Sequence, residues 1–504
     1  MARARVGILE VSHPQDVRFV ITSDDGHFEF TQLSAGKYPL QAAKRGFIES
    51  AYEQHDQFST AIVTGAGLDT EHLILRLAPF AIISGKVFDE SGEPVRMAMV
   101  SLYREDRQTG VERIQRFRNA HTDDHGSYEF AELVSGNYFL AVSATPWYAV
   151  HPNPSLQQNA GDAPSAVDSA LDVAYPVTYY KDATEPDEAS PIPLRGGDRL
   201  EVDLQLNPVP ALRLLFHVPG NGEHGFSQPQ LQQPAFDGMQ PVLNSGGAEM
   251  VSPGVFALTG VPAGRYSVRV FGSPEQGSLP TEVEMNITQD GQELDASKGE
   301  PASTVKASVQ LGGEALPREF QLALRNSKMR VVDVEVVSDK GEVQFQNVAP
   351  GKYEVLAQGT GKTYSVVRIA TEGGGDISGN ILNVAAGSSP KVTLTIVGSE
   401  ATVEGFAKRN GKAAPGAMVV LVPKDPESNR RLFRRDQSDF DGSFSLQGVI
   451  PGTYTIVAIT DGWDLDWSSP GVIAHYCQRG KAVTVGGLGK SSVRLPEAVE
   501  VQPR

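Results

Sequence analysis

Apolar and polar residues alternate over short stretches of the chain, and one alternating pattern occurs five times. Each copy opens with a glycine, continues with apolar or aromatic residues two positions apart, and ends with a second glycine followed two positions later by a tyrosine. The opening glycines are Gly26, Gly126, Gly254, Gly341 and Gly442, and the tyrosines are Tyr38, Tyr138, Tyr266, Tyr353 and Tyr454. Alternation at a period of two places side chains on one face of a β-strand. The pattern therefore predicts five related units built from strands.

Each copy predicts a hairpin that leads into a tyrosine corner. The opening glycine follows an aspartate in the first and fifth copies, as Asp25-Gly26 and Asp441-Gly442. An Asp-Gly pair supplies the positive φ that a tight hairpin turn needs. A tyrosine near a strand start can turn its hydroxyl back to upstream backbone and fix a Greek-key crossing. We therefore interpret the five tyrosines as structural residues.

The spacing of the copies predicts five domains of sandwich size. The chain has 504 residues, too many for one core, and the opening glycines lie 100, 128, 87 and 101 positions apart. Alternating runs that close each unit place the domains at 1–79, 80–208, 209–297, 298–398 and 399–504. The connections between them are short, which favours a semi-rigid rod. The predicted fold class is all-β, a tandem array of Ig-like Greek-key β-sandwiches with little helix.

The first unit is predicted to be incomplete. In the second and fifth units an opening strand, at Ser84–Val87 and Glu404–Ala407, precedes the hairpin glycine by about 40 residues. The same offset in the first unit falls before Met1, and Ala4–Val11 resembles the second strand of the other units. We expect the first sandwich to lack its first strand, which a longer natural product would carry together with any signal peptide.

Two segments carry a resemblance to a known family. Ile83–Glu105 and Val403–Pro423 each precede a hairpin and tyrosine corner, and with them resemble the carboxypeptidase regulatory-like domains. These are prealbumin-like seven-stranded sandwiches, similar in pattern to B-type repeats of bacterial adhesins and to starch-binding-like modules. The resemblance implies a secreted or envelope-associated bacterial protein whose domains are non-catalytic and carbohydrate-binding-like. It does not imply peptidase activity, because the family takes its name from a domain that accompanies a catalytic one.

Net charge and composition limit the classes of binding partner that the sequence favours. The formal net charge of −17 disfavours nucleic acid and anionic membrane surfaces as binding partners. No apolar run reaches 18 residues, so the sequence predicts no membrane span. Cys477 is the single cysteine, so no intrachain disulfide can form and packing must supply the stability.

Motifs for catalysis and metal binding are weak. No histidine has a glutamate three residues later, as a zinc carboxypeptidase requires, and His121 and His125 lie in a predicted surface turn. Ala357–Tyr364 resembles the end of a phosphate-binding loop, but Leu356 stands where the first glycine is needed and no helix follows. Turn chemistry explains Asp439 and Asp441 without calcium. The sequence therefore predicts a protein without enzymatic activity, a metal site or a cofactor.

Two long loops hold all three tryptophans of the chain. The second unit inserts residues 143–198 after its tyrosine strand, and the fifth has 461–480 in the same place. Aromatic rings beside carboxylates can stack on a sugar and accept its hydroxyl hydrogen bonds. Alternatively, the aromatics plug the end of a sandwich or pack against a neighbouring domain. The candidate ligand-binding residues are Trp147, Tyr148, Tyr179, Tyr180, Trp463, Asp464, Asp466 and Trp467. A run of arginines beside the second loop is predicted to form a solvated hairpin, with a protein contact as the alternative: Arg430, Arg431, Arg434 and Arg435.

Three functions are compatible with these observations. The first is a non-enzymatic, extracytoplasmic spacer or interaction protein whose partner is a protein or a glycan at the cell envelope. The second is a carbohydrate-binding protein that uses the aromatic loops of the second and fifth domains. The third is the accessory region of a peptidase. Through the family resemblance, the sequence predicts that the protein is secreted or attached to the cell envelope. The sequence does not indicate the oligomeric state.

Overall fold

The structure is a computed structural model that consists of β-sandwich units. It describes residues 1–65, 70–107, 110, 112–152, 168–217, 230–242, 248–270, 281–295, 300, 302–312, 315–327, 331–372, 375–427, 429–486 and 492–504. The predicted boundary at 297 and 298 lies outside the described residues. Within these described ranges, each hydrogen-bonded sheet falls inside one predicted domain or extends one residue beyond it, except for one short pairing near residue 209.

The described part of the first domain has two sheets. Their strands are β1 Arg5–Glu10, β2 His13–Ile21, β3 Gly36–Tyr38, β4 Leu40–Ala43, β5 Ser50–Ala51 and β6 Ile62–Thr64. One sheet has the order β2-β1-β4-β5, and the other pairs β3 with β6.

The second domain has two larger sheets that enclose a core of apolar residues. Its strands are β7 Ala81–Phe88, β8 Met99–Asp106, β9 Arg113–His121, β10 Ser127–Leu133, β11 Gly136–Ser143, β12 Val173–Ala174, β13 Thr178–Tyr179, β14 Ile192–Leu194, β15 Arg199–Glu201 and β16 Leu204–Gln205. β7 lies between β10, to which it is antiparallel, and β15 and β16, to which it is parallel. The opposite sheet has the order β13-β11-β8-β9, with β14 also on β11. β12 pairs with β17 Val209–Pro210 at the start of the third domain.

The third and fourth domains repeat this two-sheet plan. The third contains β18 Leu212–His217, β19 Gln230–Ala235, β20 Gly238–Pro241, β21 Ala248–Ser252, β22 Val255–Val261, β23 Gly264–Val270, β24 Thr281–Ile287 and β25 Gln292–Asp295, in sheets β21-β22-β18-β25 and β20-β19-β23-β24. The fourth contains β26 Ser303–Leu311, β27 Gln321–Asn326, β28 Val331–Val336, β29 Glu342–Val348, β30 Gly351–Gln358, β31 Thr363–Thr371, β32 Gly375–Ser378, β33 Ile381–Val384 and β34 Lys391–Ser399, in sheets β29-β26-β34-β31-β32 and β28-β27-β30-β33.

In the fifth domain one strand links the two sheets. The strands are β35 Thr402–Arg409, β36 Lys412–Ala413, β37 Met418–Pro423, β38 Arg434–Gln437, β39 Ser443–Leu446, β40 Gly452–Ile459, β41 Lys481–Val485, β42 Ser492–Arg494 and β43 Val499–Gln502. β43 runs parallel to both β35 and β40 and so joins the sheets at one edge. The loop after β40 contains the helix α1 Pro470–Cys477.

The repeated motif forms the predicted tyrosine corner in all five domains. Each tyrosine hydroxyl donates a hydrogen bond to the carbonyl four residues earlier, at 2.6 to 3.1 Å, and the acceptors are Ser34, Val134, Pro262, Ala349 and Ile450. The five opening glycines have φ between 70° and 92°, the left-handed region expected from the hairpin pattern. The prediction that these residues are structural is confirmed.

The first domain differs from the second at one position of its sandwich. In the second domain the Val87 amide donates to the Gly126 carbonyl at 2.9 Å, so that β7 lies beside β10. In the described part of the first domain no strand occupies the corresponding place beside Gly26. Residues 27–33 and 71–77, which correspond to the segments flanking β7, are not in strands, although six of their side chains pack on the core: Phe28, Phe30, Leu33, Leu73, Leu75 and Leu77.

The five domains do not form the expected rod, because the first contacts the fifth. Lys37 Nζ lies 2.7 Å from Asp439 Oδ2, and the Phe440 amide donates to the Ala61 carbonyl at 3.1 Å. Phe440 also packs on the core of the first domain. Short connections alone suggested an extended array, but side chains at the ends of the sandwiches bring distant domains together.

Candidate functional site

The loop after β40 packs against two other domains. Trp463 stacks on His55 of the first domain, with ring centroids 4.8 Å apart and planes 8° apart, and its Nε1 donates to the Gly416 carbonyl at 3.2 Å. Trp467 is 8% exposed and packs with Phe433. Trp467 therefore offers no ring face to a ligand, and His55 covers one face of Trp463.

Arg435, on β38, lies at the centre of this contact. Its guanidinium carbon is 5.0 Å from the ring centroid of Phe58, 5.3 Å from that of Trp463 and 4.7 Å from that of Trp467. Its Nη2 makes an ion pair with Asp56 Oδ2 at 2.8 Å, and its side chain is 5% exposed. Burial lowers the pKa of Arg435, and the Asp56 carboxylate opposes that shift. We call these five side chains, Asp56, Phe58, Arg435, Trp463 and Trp467, the Arg435 cluster.

The two acidic candidates of this loop make different contacts. Asp464 is exposed and its carboxylate lies 3.4 Å from the Arg504 guanidinium. Asp466 is half-buried and lies 3.7 Å from Arg107 Nε of the second domain. The Ser468 amide donates to the Gly110 carbonyl at 3.1 Å, so the second domain also contacts this loop.

Polar side chains around β38 extend the contact between the first and fifth domains. Gln437 Nε2 donates to the Glu53 carbonyl at 2.6 Å and to Thr60 Oγ1 at 2.8 Å. Lys37 Nζ also donates to Ser443 Oγ at 2.7 Å. Burial raises the pKa of Asp436 to about 6, against amide hydrogen bonds from Ser445 and Gln437, while Asp439 raises it further and Lys37 lowers it. This pKa is near enough to neutral pH for Asp436 to titrate in the folded protein.

We therefore expect the protein to become more stable as the pH falls from 7 to 5. Folded Asp436 takes up a proton near pH 6, whereas an unfolded aspartate does so near 3.8, so the folded state binds more protons in this range. The gain from this group is about 1 kcal/mol in the free energy of unfolding at pH 5. Urea unfolding at several pH values measures it, and the Asp436→Asn variant should lose that part of the slope. Equal slopes for the two proteins would contradict the assignment.

Some candidate residues in the loop of the second domain lie at the surface, and others lie in the core. Trp147 is 83% exposed, with the Tyr148 ring 5.8 Å away at an interplanar angle of 86°. The hydroxyls of Tyr148 and Tyr175 both donate to the Glu90 carboxylate, the latter at 2.9 Å. Burial and the hydrogen bond to Glu90 raise the pKa of Tyr148 to about 12. Of the eight candidates, Trp147 is the one whose ring is most open to solvent.

The other two candidates of this loop pack inside the protein. Tyr179 is 1% exposed and its ring centroid lies 5.5 Å from that of Phe236 in the third domain. Tyr180 is half-buried on the core of the second domain, with Lys181 Nζ 5.7 Å from its ring centroid. These positions favour the packing alternative for both tyrosines.

Phe236 is a contact residue that sequence reasoning missed. It lies against Tyr103 and Phe139 as well, with centroid distances of 4.9 and 5.0 Å, and Tyr103 donates to Gln240 Oε1 at 2.6 Å. Burial raises the pKa of Tyr103 to about 12. The one available signal was an aromatic residue directly before Asp237-Gly238, where a turn residue would ordinarily be polar.

The prediction that the arginine run forms a solvated hairpin is wrong for the two arginines that lie in β38, Arg434 and Arg435. Arg434 donates to the carbonyls of Gly448, Arg431 and Phe433 at 2.7 to 3.0 Å, and burial lowers its pKa. Arg435 belongs to the cluster described above. The alternative of a protein contact holds for Arg435, and the protein in contact is the first domain of the same chain.

The structure places these side chains in a tandem array of Greek-key sandwiches that contact one another through their end loops. The family model of the carboxypeptidase regulatory-like domain matches residues 82–207. The second domain is therefore similar to the carboxypeptidase regulatory-like domains, as the resemblance implied.

Comparisons with whole proteins are less informative. No curated protein matches the chain. Among solved structures it is similar to the Bacillus anthracis TIE protein, with 13% identity over 78% of this chain and 69% of that chain and a TM-score of 0.16. A streptococcal ancillary pilin has 12% identity over 57% and 100% and a TM-score of 0.21, and the RrgB pilus protein of Streptococcus pneumoniae has 9% over 75% and 90% and 0.15. These TM-scores are too low to compare domain arrangements.

The described residues show neither a metal-binding cluster nor a helix that could span a membrane. No cluster of three or more His, Cys, Asp or Glu side chains in this part of the chain is arranged to hold a metal ion. No helix there is both long and apolar enough to cross a membrane.

Proposed function

We propose that the protein is a non-enzymatic, extracytoplasmic interaction protein whose five sandwiches are held in a closed arrangement by their own end loops. The Arg435 cluster carries this proposal, because Arg435 of the fifth domain makes an ion pair with Asp56 and lies over the ring of Phe58, both in the first domain. Aromatic and arginine side chains of this kind supply most of the binding energy in interfaces between proteins. Here they are used between domains of one chain.

A closed arrangement changes what a partner can bind. Domains that move independently must be ordered when a partner contacts several of them, and that ordering costs affinity. Contacts from the fifth domain to the first and second hold their surfaces in fixed relation. The protein therefore presents a composite surface, and we place its partner, a protein or a glycan, at the cell envelope on the basis of the regulatory-like domain.

A second candidate function is glycan binding by the second domain alone. The exposed Trp147 ring stands beside Tyr148 and near the Glu90 carboxylate, which is the combination of a stacking surface and hydrogen-bond acceptors that a sugar ring can use. In this proposal Trp463 and Trp467 do not contact the glycan. They affect binding only because they help to hold the domains in place.

Sedimentation of the full chain with isolated bacterial cell walls, together with a glycan array, tests both proposals. Saturable binding to cell walls is expected. If a glycan is the ligand, Trp147→Ala abolishes binding on the array, while the control Thr184→Ala, at an exposed position of the same loop, retains it. Binding to cell walls that Trp147→Ala leaves unchanged favours a protein partner. Absence of binding to both, or turnover of peptide substrates by the purified chain, would contradict the proposed function.

A further inference from the structure

Two strands at the outer edges of sheets expose rows of apolar side chains. β2 is the last strand of one sheet in the first domain, and β28 is the last strand of one sheet in the fourth. Within the described ranges, β2 pairs with β1 alone and β28 pairs with β27 alone. We call the two rows the apolar edges. Their side chains are 44 to 63% exposed and comprise Val17, Phe19 and Ile21 on β2 and Val332, Val334 and Val336 on β28. An exposed apolar edge is a site to which a strand of another chain can add.

The backbone groups of these residues point away from their sheets. The Thr22 amide donates to the Ala4 carbonyl at 2.9 Å, so residue 22 faces the β1 side. The Val337 amide donates to the Phe320 carbonyl at 2.9 Å, so residue 337 faces the β27 side. Hydrogen-bonding direction alternates along an antiparallel strand. The groups directed outward are therefore the amides and carbonyls of residues 17, 19 and 21 on β2 and of residues 334 and 336 on β28.

One antiparallel register matches the three exposed residues of β2 to the three of β28. Its pairs are Val17 with Val336, Phe19 with Val334, and Ile21 with Val332. The first two pairs join residues whose backbone groups both point outward, so each pair can exchange two hydrogen bonds. A β-bulge in β28 between Val331 and Asp333 ends the regular ladder at the third pair. The register also places both apolar edges on one face of the joined sheet and both cores on the other.

Charged side chains on the opposite face of the two strands favour the same register. Arg18 and Glu335 alternate with the exposed residues, so they lie on the core-facing side of their strands. In this register they stand directly opposite each other, and an opposite-charge pair across two strands is stabilising. A shift of two residues in one direction sets Asp16 opposite Glu335, where like charges repel. The opposite shift sets Val17 against the polar Ser338.

Pairing between two identical edges is less favourable. Two β28 strands with their valines matched would set Asp333 opposite Glu335 twice. Two β2 strands matched at Phe19 would bring the two Arg18 side chains to diagonal positions and would leave β28 uncovered. Charges on an edge strand ordinarily discourage pairing, but opposite charges on two different edges select one partner against the others.

The net charge of the chain does not oppose a contact between these two domains. The first predicted domain has 7 Lys and Arg against 10 Asp and Glu, and the fourth has 11 against 10. Their formal charges are small and of opposite sign. Repulsion that arises from the net charge of −17 therefore comes from other parts of the chain.

We propose that β2 of one molecule pairs antiparallel with β28 of a second copy of this chain, in the register that sets Val17 opposite Val336. Both edges are exposed within one molecule, so each finds its partner in another copy. Because one molecule offers one edge of each kind, the contact is head-to-tail, and the copies close into a ring or continue as a filament. This inference goes beyond the proposed function, since it concerns self-association and does not depend on the Arg435 cluster or on Trp147.

Sedimentation velocity of the full chain at rising micromolar concentrations tests the proposal. The weight-average mass should rise with concentration above the 54.1 kDa of one chain. Arg18→Glu and Glu335→Arg should each weaken association by about tenfold, because each sets like charges opposite one another. A chain that carries both substitutions restores an opposite-charge pair and should recover association. Glu342→Arg is the matched control, since it makes the same charge change at an exposed position of β29, in the other sheet of the fourth domain.

The variants distinguish this contact from other modes of association. Association that Arg18→Glu weakens and Glu335→Arg leaves unchanged would assign the contact to two β2 strands and overturn the proposal. A wild type that stays monomeric at all concentrations, or a double variant that does not recover, would also overturn it. Val334→Lys is an independent variant at an exposed position, and it should abolish association while the thermal midpoint of unfolding stays near that of the wild type. Undiminished association of Val334→Lys would contradict the proposal.

Discussion

The Arg435→Ala variant is expected to release the first domain from the fifth. The substitution removes the ion pair to Asp56 and the stacking of one guanidinium on three rings. Loss of one partner from a buried pair costs about 3–5 kcal/mol, and the exposed fraction of Asp56, 36%, reduces this to about 2–3 kcal/mol. Hydrogen exchange at residues 53–61 and 434–438 measures the loss, which should speed exchange there at least tenfold.

Two other arginine variants make this expectation specific. Arg435→Lys keeps the charge but loses the planar group that stacks on the rings, so its exchange rates should lie between those of wild type and Arg435→Ala. Arg479→Ala removes an exposed arginine of the same domain and should leave the exchange unchanged. If Arg435→Ala behaves like Arg479→Ala, the cluster does not hold the two domains together.

A strand added before Met1 is expected to complete the first sandwich. Thr22 Oγ1 donates to the Met1 carbonyl at 2.7 Å, just as Thr122 Oγ1 donates to the Val95 carbonyl at 2.6 Å, so Met1 corresponds to Val95. A copy of residues 81–94, fused directly before Met1, therefore places a counterpart of β7 beside Gly26. It should bury side chains that are now half-exposed on the core, namely Phe28, Phe30, Leu33, Leu73, Leu75 and Leu77.

Hydrogen exchange at residues 27–33 and 72–77 measures the effect of this extension. Exchange should slow at least tenfold, which corresponds to about 1.4 kcal/mol of local stability. The control carries the same extension with aspartate at the two positions copied from Ile83 and Val87, which are fully buried in the second domain. Because a charged strand cannot enter the core, the control should show no slowing. Equal exchange with both extensions would contradict the assignment of this position.

Local features of the fold could be predicted from the sequence. The tyrosine corner spans five residues, from Ile450 to Tyr454, and the hairpin turn at Gly442 depends on the φ of that glycine, so both leave a local pattern in the sequence. Repetition made that pattern reliable, since five copies with one spacing are explained by packing. The same reasoning identified the two loops that carry the tryptophans.

Contacts between domains could not be predicted in this way. His55 and Trp463 lie about 400 positions apart, and no local pattern links them. A run of arginines usually indicates a solvated face, but Arg435 is buried because rings from the first domain and from the loop after β40 both lie against it. Whether an aromatic side chain binds a ligand or a neighbouring domain depends on that placement. Trp147 and Trp467 illustrate this, since they come from equivalent loops and differ in exposure from 83% to 8%.

The distance between the first and fifth domains tests the closed arrangement most directly. Spin labels at Gln57→Cys and Asp464→Cys, in a Cys477→Ser background diluted with unlabelled protein, report it by pulsed electron resonance. Both sites are exposed and each adjoins one of the contacting residues Phe58 and Trp463. The closed arrangement predicts a narrow distribution at roughly 15–30 Å, since neighbouring Cα atoms are about 3.8 Å apart. In an extended array, three intervening domains with a radius of gyration of about 13 Å each would separate the labels by about 100 Å, and that result would contradict it.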